Sequence, residues 1–119
     1  IGPLIALPDD WDDYDAAGKA ALLAHERVHL RQFRWAGLGS PWLGVLPMAV
    51  LYLGLPLPTL WCAWTRYRLE LAGYRAQIAM HEQLGSGRAN DVRANAAAAI
   101  SGAGYGWAWA GRLIARALA

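Results

Sequence analysis

The fold is set by residues 15–36, which read DAAGKAALLAHERVHLRQFRWA. Alanine and leucine dominate this run, no proline interrupts it, Asp15 can cap its first turn, and a glycine-rich segment follows it. A helix is therefore predicted over 15–36. At about 100° per residue, His25, His29 and Gln32 share one stripe of this helix, and its arginines lie on the far side. We expect the two histidines to face the interior.

Length and composition indicate a single domain over residues 1–119. The chain has 119 residues and is 56% hydrophobic, with seven Trp, which is ample material for one core and too little chain for two. Lys and Arg number 11 against nine Asp and Glu, and the basic residues are scattered singly. No basic stripe of the kind that follows a phosphate backbone is visible, so nucleic-acid binding is not expected.

The rest of the chain predicts a compact, mainly α fold of four or five helices around the first one. Residues 1–7 are apolar and bounded by prolines, which favours a short N-terminal strand or hairpin there. Glycines and capping residues delimit the later helices. These are predicted over 66–84, from a cap at Asn90 or Asp91 to about 101, and within 107–118.

Residues 40–65 carry no charge. The segment is long enough to count as a transmembrane candidate on length, but Pro47, Pro56 and Pro58 and two glycines argue against one clean span. Short helical pieces in a hairpin that is buried or touches a membrane fit the pattern better. Residues 40–65 are therefore a candidate site of membrane contact. The protein is predicted to be cytoplasmic or membrane-associated.

The sequence His25-Glu26-Arg27-Val28-His29 is an HExxH motif. Residues four apart on a helix project side by side, so both imidazoles can reach one zinc ion. Glu26 lies about 100° round from His25. Its carboxylate can therefore approach a water beside the ion without binding the metal, which is the position of a general base.

A hydrolytic zinc site needs a third protein ligand, for which the candidates are Glu70, His81, Glu82 and the aspartates. Glu70 is the best placed, because it lies on the inward stripe of the next strong helix, where a buried carboxylate is costly unless it meets a cation. His81 lies about 16 Å further along the same helix axis. Glu70 and His81 are therefore not expected to bind the same ion.

HExxH on one helix and a glutamate on a later helix resemble the gluzincin clan of zinc metallopeptidases, and the short length is similar to the minigluzincins. The resemblance covers roughly residues 4–80. It implies a zincin-like fold, a Zn²⁺ cofactor held by His25, His29 and Glu70, and Glu26 as general base and acid. A related pattern, ExxxD, has Asp where this chain has Tyr74.

The leading hypothesis is a small zinc metallopeptidase acting on a peptide or protein substrate. Tyr74 is the first candidate to stabilise the oxyanion. Either apolar chain end, 1–7 or 107–118, could lie across a shallow cleft, which would make a latent enzyme. The alternative is a zinc-stabilised structural or binding module without catalysis. The sequence leaves the oligomeric state open. The other candidate oxyanion donors are Tyr67, His81 and Tyr105.

Overall fold

The computed structural model describes residues 5, 7–40, 42–53, 60–101 and 111–119, with side chains described in these ranges except at 51–53, 60–65, 111, 112 and 115. A 3₁₀ turn at Trp11–Asp13 precedes five helices, and the mainly α prediction is confirmed. No strand occurs in these ranges, and the strand or hairpin predicted over 1–7 falls mostly on residues outside them. The helices are α1 Ala16–Ala36, α2 Val45–Leu53, α3 Leu60–Leu84, α4 Ala89–Ile100 and α5 Gly111–Leu118.

Helix α1 begins and ends as its sequence predicts. The Asp15 carboxylate accepts a hydrogen bond from the backbone N–H of Gly18 at 2.9 Å, which satisfies one of the unpaired donors of the first turn. Arg88, at the start of α4, donates to the same carboxylate at 2.6 and 2.7 Å. The helix ends where the N–H of Gly37 bonds to the carbonyl of Phe33. Asp15 thus both caps α1 and ties it to the start of α4.

A tight corner joins α1 to α2. A Cβ at Gly37 would lie 2.0 Å from the carbonyl oxygen of Ser40, and one at Gly44 would lie 1.9 Å from that of Phe33, so only glycine fits at either position. Pro47 lies in the first turn of α2, where its missing N–H costs no helical hydrogen bond. The short helical piece predicted within 40–65 is present as α2. No helix in the described part of the chain combines the length and apolar character needed to cross a bilayer.

Helix α3 runs antiparallel to α1 and makes the most extensive interface with it. Arg88, just beyond α3, pairs with Asp15 at the start of α1, and Leu69 near the start of α3 meets Gln32 near the end of α1. The predicted helix over 66–84 is correct at its C-terminal end, but α3 begins six residues earlier, at Leu60. The uncharged residues 60–65 thus belong to this helix, and not to the hairpin.

The apolar core lies on the opposite side of α3 from α1, where α4 and α5 pack. Arg75 donates a hydrogen bond to the Ala117 carbonyl at 2.8 Å, and Arg93 donates one to the Leu118 carbonyl at 3.0 Å. Two of the carbonyl groups that have no partner within the last turn of α5 are thereby paired. Residues 111–118, the described part of the C-terminal segment, are therefore packed against α3 and α4. The core residues are Leu71, Ile78, Ala96, Ile100, Ile114 and Leu118.

The predicted cap of α4 is wrong. The helix begins at Ala89 with Arg88 in the capping position. Asp91 lies in the first turn, where its negative charge interacts favourably with the positive end of the helix dipole. The hydroxyl oxygen of Ser86 accepts a hydrogen bond from the N–H of Arg88 at 3.3 Å, which holds the turn just before the helix and starts α4 ahead of Asn90 and Asp91. No side chain in the described part of the chain caps the first turn of α4.

Candidate metal centre

Three potential metal ligands meet between α1 and α3. His25 and His29 lie one turn apart on α1, and their Nε2 atoms are 3.0 Å apart. Glu70 approaches from α3, with its Oε2 atom 3.5 Å from the His25 Nε2 atom and 3.7 Å from the His29 Nε2 atom. His25 and Glu70 are buried, and His29 is partly buried. One ligand atom from each residue lies within 4.8 Å of the others, so this group can hold a metal ion.

The orientation of His29 is fixed by Gln32, one turn further along α1. His29 Nδ1 donates a hydrogen bond to the Gln32 side-chain oxygen at 2.8 Å, and the Gln32 amide nitrogen donates to the Leu69 carbonyl at 3.1 Å. With its proton on Nδ1, the His29 ring presents a lone pair on Nε2, on the side of Glu70. Gln32 thus connects the His29 ring to the backbone residue that precedes Glu70.

His25 owes its position to two neighbouring residues of α3. The His25 ring lies directly over Gly73, where a Cβ would come within 2.7 Å of Nε2 and 2.9 Å of Cδ2. The ring of Tyr74 meets the His25 ring edge to face, with centroids 4.9 Å apart and planes at 82°. His25 Nδ1 is buried and has no hydrogen-bond partner in the described part of the chain. Packing against Gly73 and Tyr74 therefore orients the Nδ1 side of the His25 ring, while its Nε2 atom is directed at His29 and Glu70.

The charges at this site favour an ionised carboxylate. Burial raises the pKa of Glu70, but hydrogen bonds with His25 and His29 outweigh it, and together with the charges of both rings they lower this pKa to about 2. Burial lowers the pKa of His29, yet hydrogen bonds to Glu70 and Gln32 and the charges of Glu70 and Glu26 raise it overall. Glu70 is thus negatively charged at neutral pH in a largely buried position, where it stabilises positive charge beside it.

Tyr74 keeps its proton at neutral pH. Burial of the side chain and the nearby charge of Glu70 raise the pKa of Tyr74 above its ordinary value of 10.0. A phenol in this state is a hydrogen-bond donor. Tyr74 lies beside the His25 ring, which puts it next to the candidate metal centre, as its place on the same stripe of α3 as Glu70 predicts.

Glu26 follows His25 on α1 and is not part of the ligand group. Its side chain is partly exposed, and its negative charge contributes to the raised pKa of His29. This location is compatible with the expectation that its carboxylate stays off the metal. Its role as a general base remains a prediction.

The other candidate ligands and donors lie elsewhere. Among the described residues, the Nδ1 atom of His81 is 2.7 Å from the Ser86 hydroxyl, Glu82 pairs with Arg93, and Asp15 pairs with Arg88. His81 is not part of the ligand group, as its distance along α3 predicts. Tyr67 packs against the apolar core, and Tyr105 lies outside the described residues.

Two residues that support the site were not fully identified from sequence. Gln32 was predicted to share the histidine stripe, but its bond to the Leu69 carbonyl depends on how α1 and α3 pack. Gly73 was not singled out at all. Its signal was an isolated glycine inside a helix, which is costly compared with alanine and indicates close packing of another element.

No family model matches this chain, and no curated protein and no solved structure matches it at a significant level.

Proposed function

We propose that this chain is a small zinc metallopeptidase in which His25, His29 and Glu70 bind one Zn²⁺ ion. The observation that carries this proposal is the spacing of the three ligand atoms. Ligands held tetrahedrally at about 2.0–2.1 Å from an ion are separated from one another by about 3.3–3.4 Å. The three separations here are 3.0, 3.5 and 3.7 Å, so an ion fits among them with small adjustments.

The donor set favours zinc over the other common divalent ions. Two imidazole nitrogens and one carboxylate oxygen are the ligands of many hydrolytic zinc sites, whereas Mg²⁺ and Ca²⁺ prefer oxygen ligands throughout. The described residues supply three ligands and not the four typical of a structural zinc site. This supports a hydrolytic centre over a zinc-stabilised structural module.

When bound, zinc would polarise the scissile carbonyl and lower the pKa of a water molecule beside it. The Glu26 carboxylate accepts a proton from this water while the oxygen of the water attacks the carbonyl carbon of the peptide bond. The same carboxyl group then returns the proton to the amide nitrogen, and the carbon–nitrogen bond breaks to give a free acid and a free amine. Tyr74, protonated at neutral pH, donates a hydrogen bond to the negative oxygen that forms in between.

The decisive variant is Glu26→Gln, which removes the proposed base and leaves the three ligands in place. We expect it to bind zinc in the same ratio as the wild-type chain and to lose about 10²–10⁴-fold in peptide cleavage. Glu82→Gln removes a glutamate on the surface of α3 and is the matched control, with cleavage expected to stay at the wild-type rate. Metal content per chain and cleavage of a mixed peptide library would be measured on all three proteins.

The possible outcomes test the role of Glu26 and separate the peptidase from the structural module. Wild-type cleavage by Glu26→Gln would exclude Glu26 as the base. Stoichiometric zinc with no cleavage by any of the three proteins would favour the structural or binding module. Loss of zinc from Glu26→Gln would contradict the assignment of Glu26 to a role off the metal.

A further inference from the structure

A set of large apolar side chains is exposed where α1 turns into α2. Leu38 is 98% exposed, Trp35 78% and Leu46 74%, although side chains of this kind are normally buried or isolated on a surface. They are neighbours along one corner of the molecule, between the last turn of α1 and the exposed side of α2. This apolar corner consists of Trp35, Leu38, Trp42, Leu43, Leu46 and Val50.

The backbone of the corner is held in a shape that presents these side chains to solvent. Leu38 has φ at 53°, which makes it the one described residue other than glycine in the left-handed region. That conformation is unfavourable for leucine, and here it accompanies an almost fully exposed apolar side chain. The close backbone contacts at Gly37 and Gly44 fix the turn on either side. The turn thus presents an apolar side chain to solvent in a conformation that leucine rarely adopts.

Positive charge adjoins the apolar corner. Arg27, Arg31 and Arg34 lie along the exposed side of α1 that leads to Trp35, and they line an open groove of about 740 Å³ between α1 and α3. Residues 27–50 contain three arginines and neither Asp nor Glu, and the groove lining contains no acidic side chain. The corner and the turns beside it therefore carry positive charge with no acidic side chain within that part of the sequence to neutralise it.

We propose that the apolar corner binds the surface of an anionic lipid bilayer. Trp35 and Trp42 have the amphipathic rings that are enriched at the level of lipid headgroups, and Leu38 and Leu46 would reach the acyl chains below them. Arg31 and Arg34 would lie against the phosphates and carboxylates of the headgroups. The protein would thus lie on the membrane without crossing it.

A second copy of the chain is a poorer fit to the same surface. Two corners packed against each other would bring their arginines together, and residues 27–50 of neither copy supply an acidic partner. An anionic bilayer offers apolar depth and negative charge at once. It is the occupant whose chemistry matches both halves of the surface.

The surface lies close to the candidate metal centre but does not depend on it. A cavity of about 320 Å³ lies behind Trp35 and is also lined by Met48, Gln32 and Leu69. His29 and Trp35 are six residues apart on α1, which corresponds to about 9 Å along the axis. None of the residues of the apolar corner is a proposed metal ligand, so lipid binding can be tested with or without zinc.

The test is sedimentation of the purified chain with vesicles of phosphatidylcholine alone and of phosphatidylcholine mixed with phosphatidylserine. We expect binding to the mixed vesicles that weakens as salt is added. Replacing both tryptophans, by Trp35→Ser with Trp42→Ser, should lower the bound fraction on both kinds of vesicle at least tenfold. Leu84→Ser with Leu113→Ser removes two exposed leucines elsewhere and should leave binding unchanged.

The charge is tested separately by Arg31→Gln with Arg34→Gln. This pair should weaken binding to the mixed vesicles severalfold. Binding to the neutral vesicles, which we expect to be weak, should stay unaltered. The control, Lys19→Gln with Arg116→Gln, removes two positive charges outside the apolar corner. It is expected to bind as the wild type does. Circular dichroism and the melting temperature, expected to match the wild type, show that each variant is folded.

The proposal is overturned if the wild-type chain binds neither kind of vesicle, or if the folded tryptophan variant binds as well as the wild type. It is also overturned if sedimentation velocity shows a dimer that the tryptophan variant abolishes while no protein associates with vesicles. In that case the corner is an interface between two copies of the chain.

Discussion

His25 on α1 and His81 on α3 are both almost fully buried, yet their surroundings differ. The Nδ1 atom of His81 is 2.7 Å from the Ser86 hydroxyl, and burial and the charge of Arg88 lower the pKa of His81. His25 instead directs its Nε2 atom at His29 and Glu70.

Burial alone therefore does not distinguish a ligand from a structural histidine. His81 is paired with a hydroxyl in the turn that joins α3 to α4, which satisfies one ring nitrogen and holds that turn. His25 has a second imidazole and an ionised carboxylate around the same nitrogen. The number of donors that converge on one point is what indicates a metal ion.

The largest expected difference is in zinc binding between a variant that lacks His25 and one that lacks His81. His25→Ala is expected to abolish stoichiometric zinc binding, because one imidazole and one carboxylate hold zinc far more weakly than three ligands. His81→Ala should retain one zinc per chain with wild-type affinity. Competition with a chromophoric chelator measures both. Equal losses of affinity in the two variants would remove the distinction.

A methyl group at Gly73 should disturb the His25 side of the comparison. In Gly73→Ala, the new Cβ would lie 2.7 Å from His25 Nε2, so the ring or the helix must shift. We expect weaker zinc binding and a loss of about 1–3 kcal/mol in the free energy of unfolding. Denaturant unfolding and zinc titration test this.

Gly18→Ala is the matched control for Gly73→Ala, since it also puts a methyl group on a helical glycine. Its Cβ would meet the carboxylate oxygen of Asp15 at 3.0 Å, and this exposed side chain can move. Zinc affinity should be unchanged. Wild-type zinc affinity in Gly73→Ala would show that the position of the His25 ring does not matter for the metal.

A smaller effect is expected from Gln32. Gln32→Ala removes the acceptor that fixes the His29 ring, and we expect zinc affinity to fall by about 10–100-fold. Gln32→Glu keeps an acceptor for His29 Nδ1 and should restore most of the affinity. Gln83→Ala, on the exposed end of α3, is the control. If Gln32→Glu binds zinc no better than Gln32→Ala, the bond to His29 is not the reason for the loss.

The smallest effect concerns the surroundings of His81. The Arg88 hydrogen bond, with further help from the Gly18 N–H, lowers the pKa of Asp15 below its ordinary value of 3.8. A lowered folded-state pKa stabilises the protein above the unfolded-state pKa, and this contribution is lost as the pH falls through the folded-state pKa. Asp15→Asn keeps a capping side chain but cannot ionise.

We therefore expect the melting temperature of Asp15→Asn to lie slightly below that of the wild type at pH 7. The gap should begin to narrow below about pH 4, near the ordinary pKa of an aspartate, and should go on narrowing as the pH falls through the lower folded-state pKa. Thermal melts from pH 7 to pH 3 in a chelator measure it. A gap that stays constant over this range would show that the charge of Asp15 contributes nothing.

The α1 helix and the ligand group follow from local patterns. Alanine-rich composition, Asp15 and the glycines after 36 define the helix, and a four-residue spacing puts His25 and His29 side by side. Glu70 was identified from the cost of burying a carboxylate on an inward stripe. Each of these arguments concerns one helix at a time, and the structure brings the three side chains together.

What could not be predicted depends on contacts between elements. The start of α3 at Leu60 was missed, because residues 60–65 are uncharged and follow two prolines, which made them look like part of a hairpin. The need for glycine at 73 arises only when the His25 ring lies against α3. The start of α4 at Ala89 depends on the turn before it, in which the Ser86 hydroxyl accepts a hydrogen bond from the N–H of Arg88.

X-ray absorption at the zinc edge, on the chain loaded with one equivalent of zinc, tests the central claim most directly. We predict two imidazole nitrogens at about 2.0–2.1 Å with oxygen ligands completing the shell, and loss of this two-imidazole signal in His25→Ala, which no longer holds one equivalent of zinc. A shell made only of oxygen atoms, a sulfur ligand, or an unchanged spectrum in His25→Ala would contradict it.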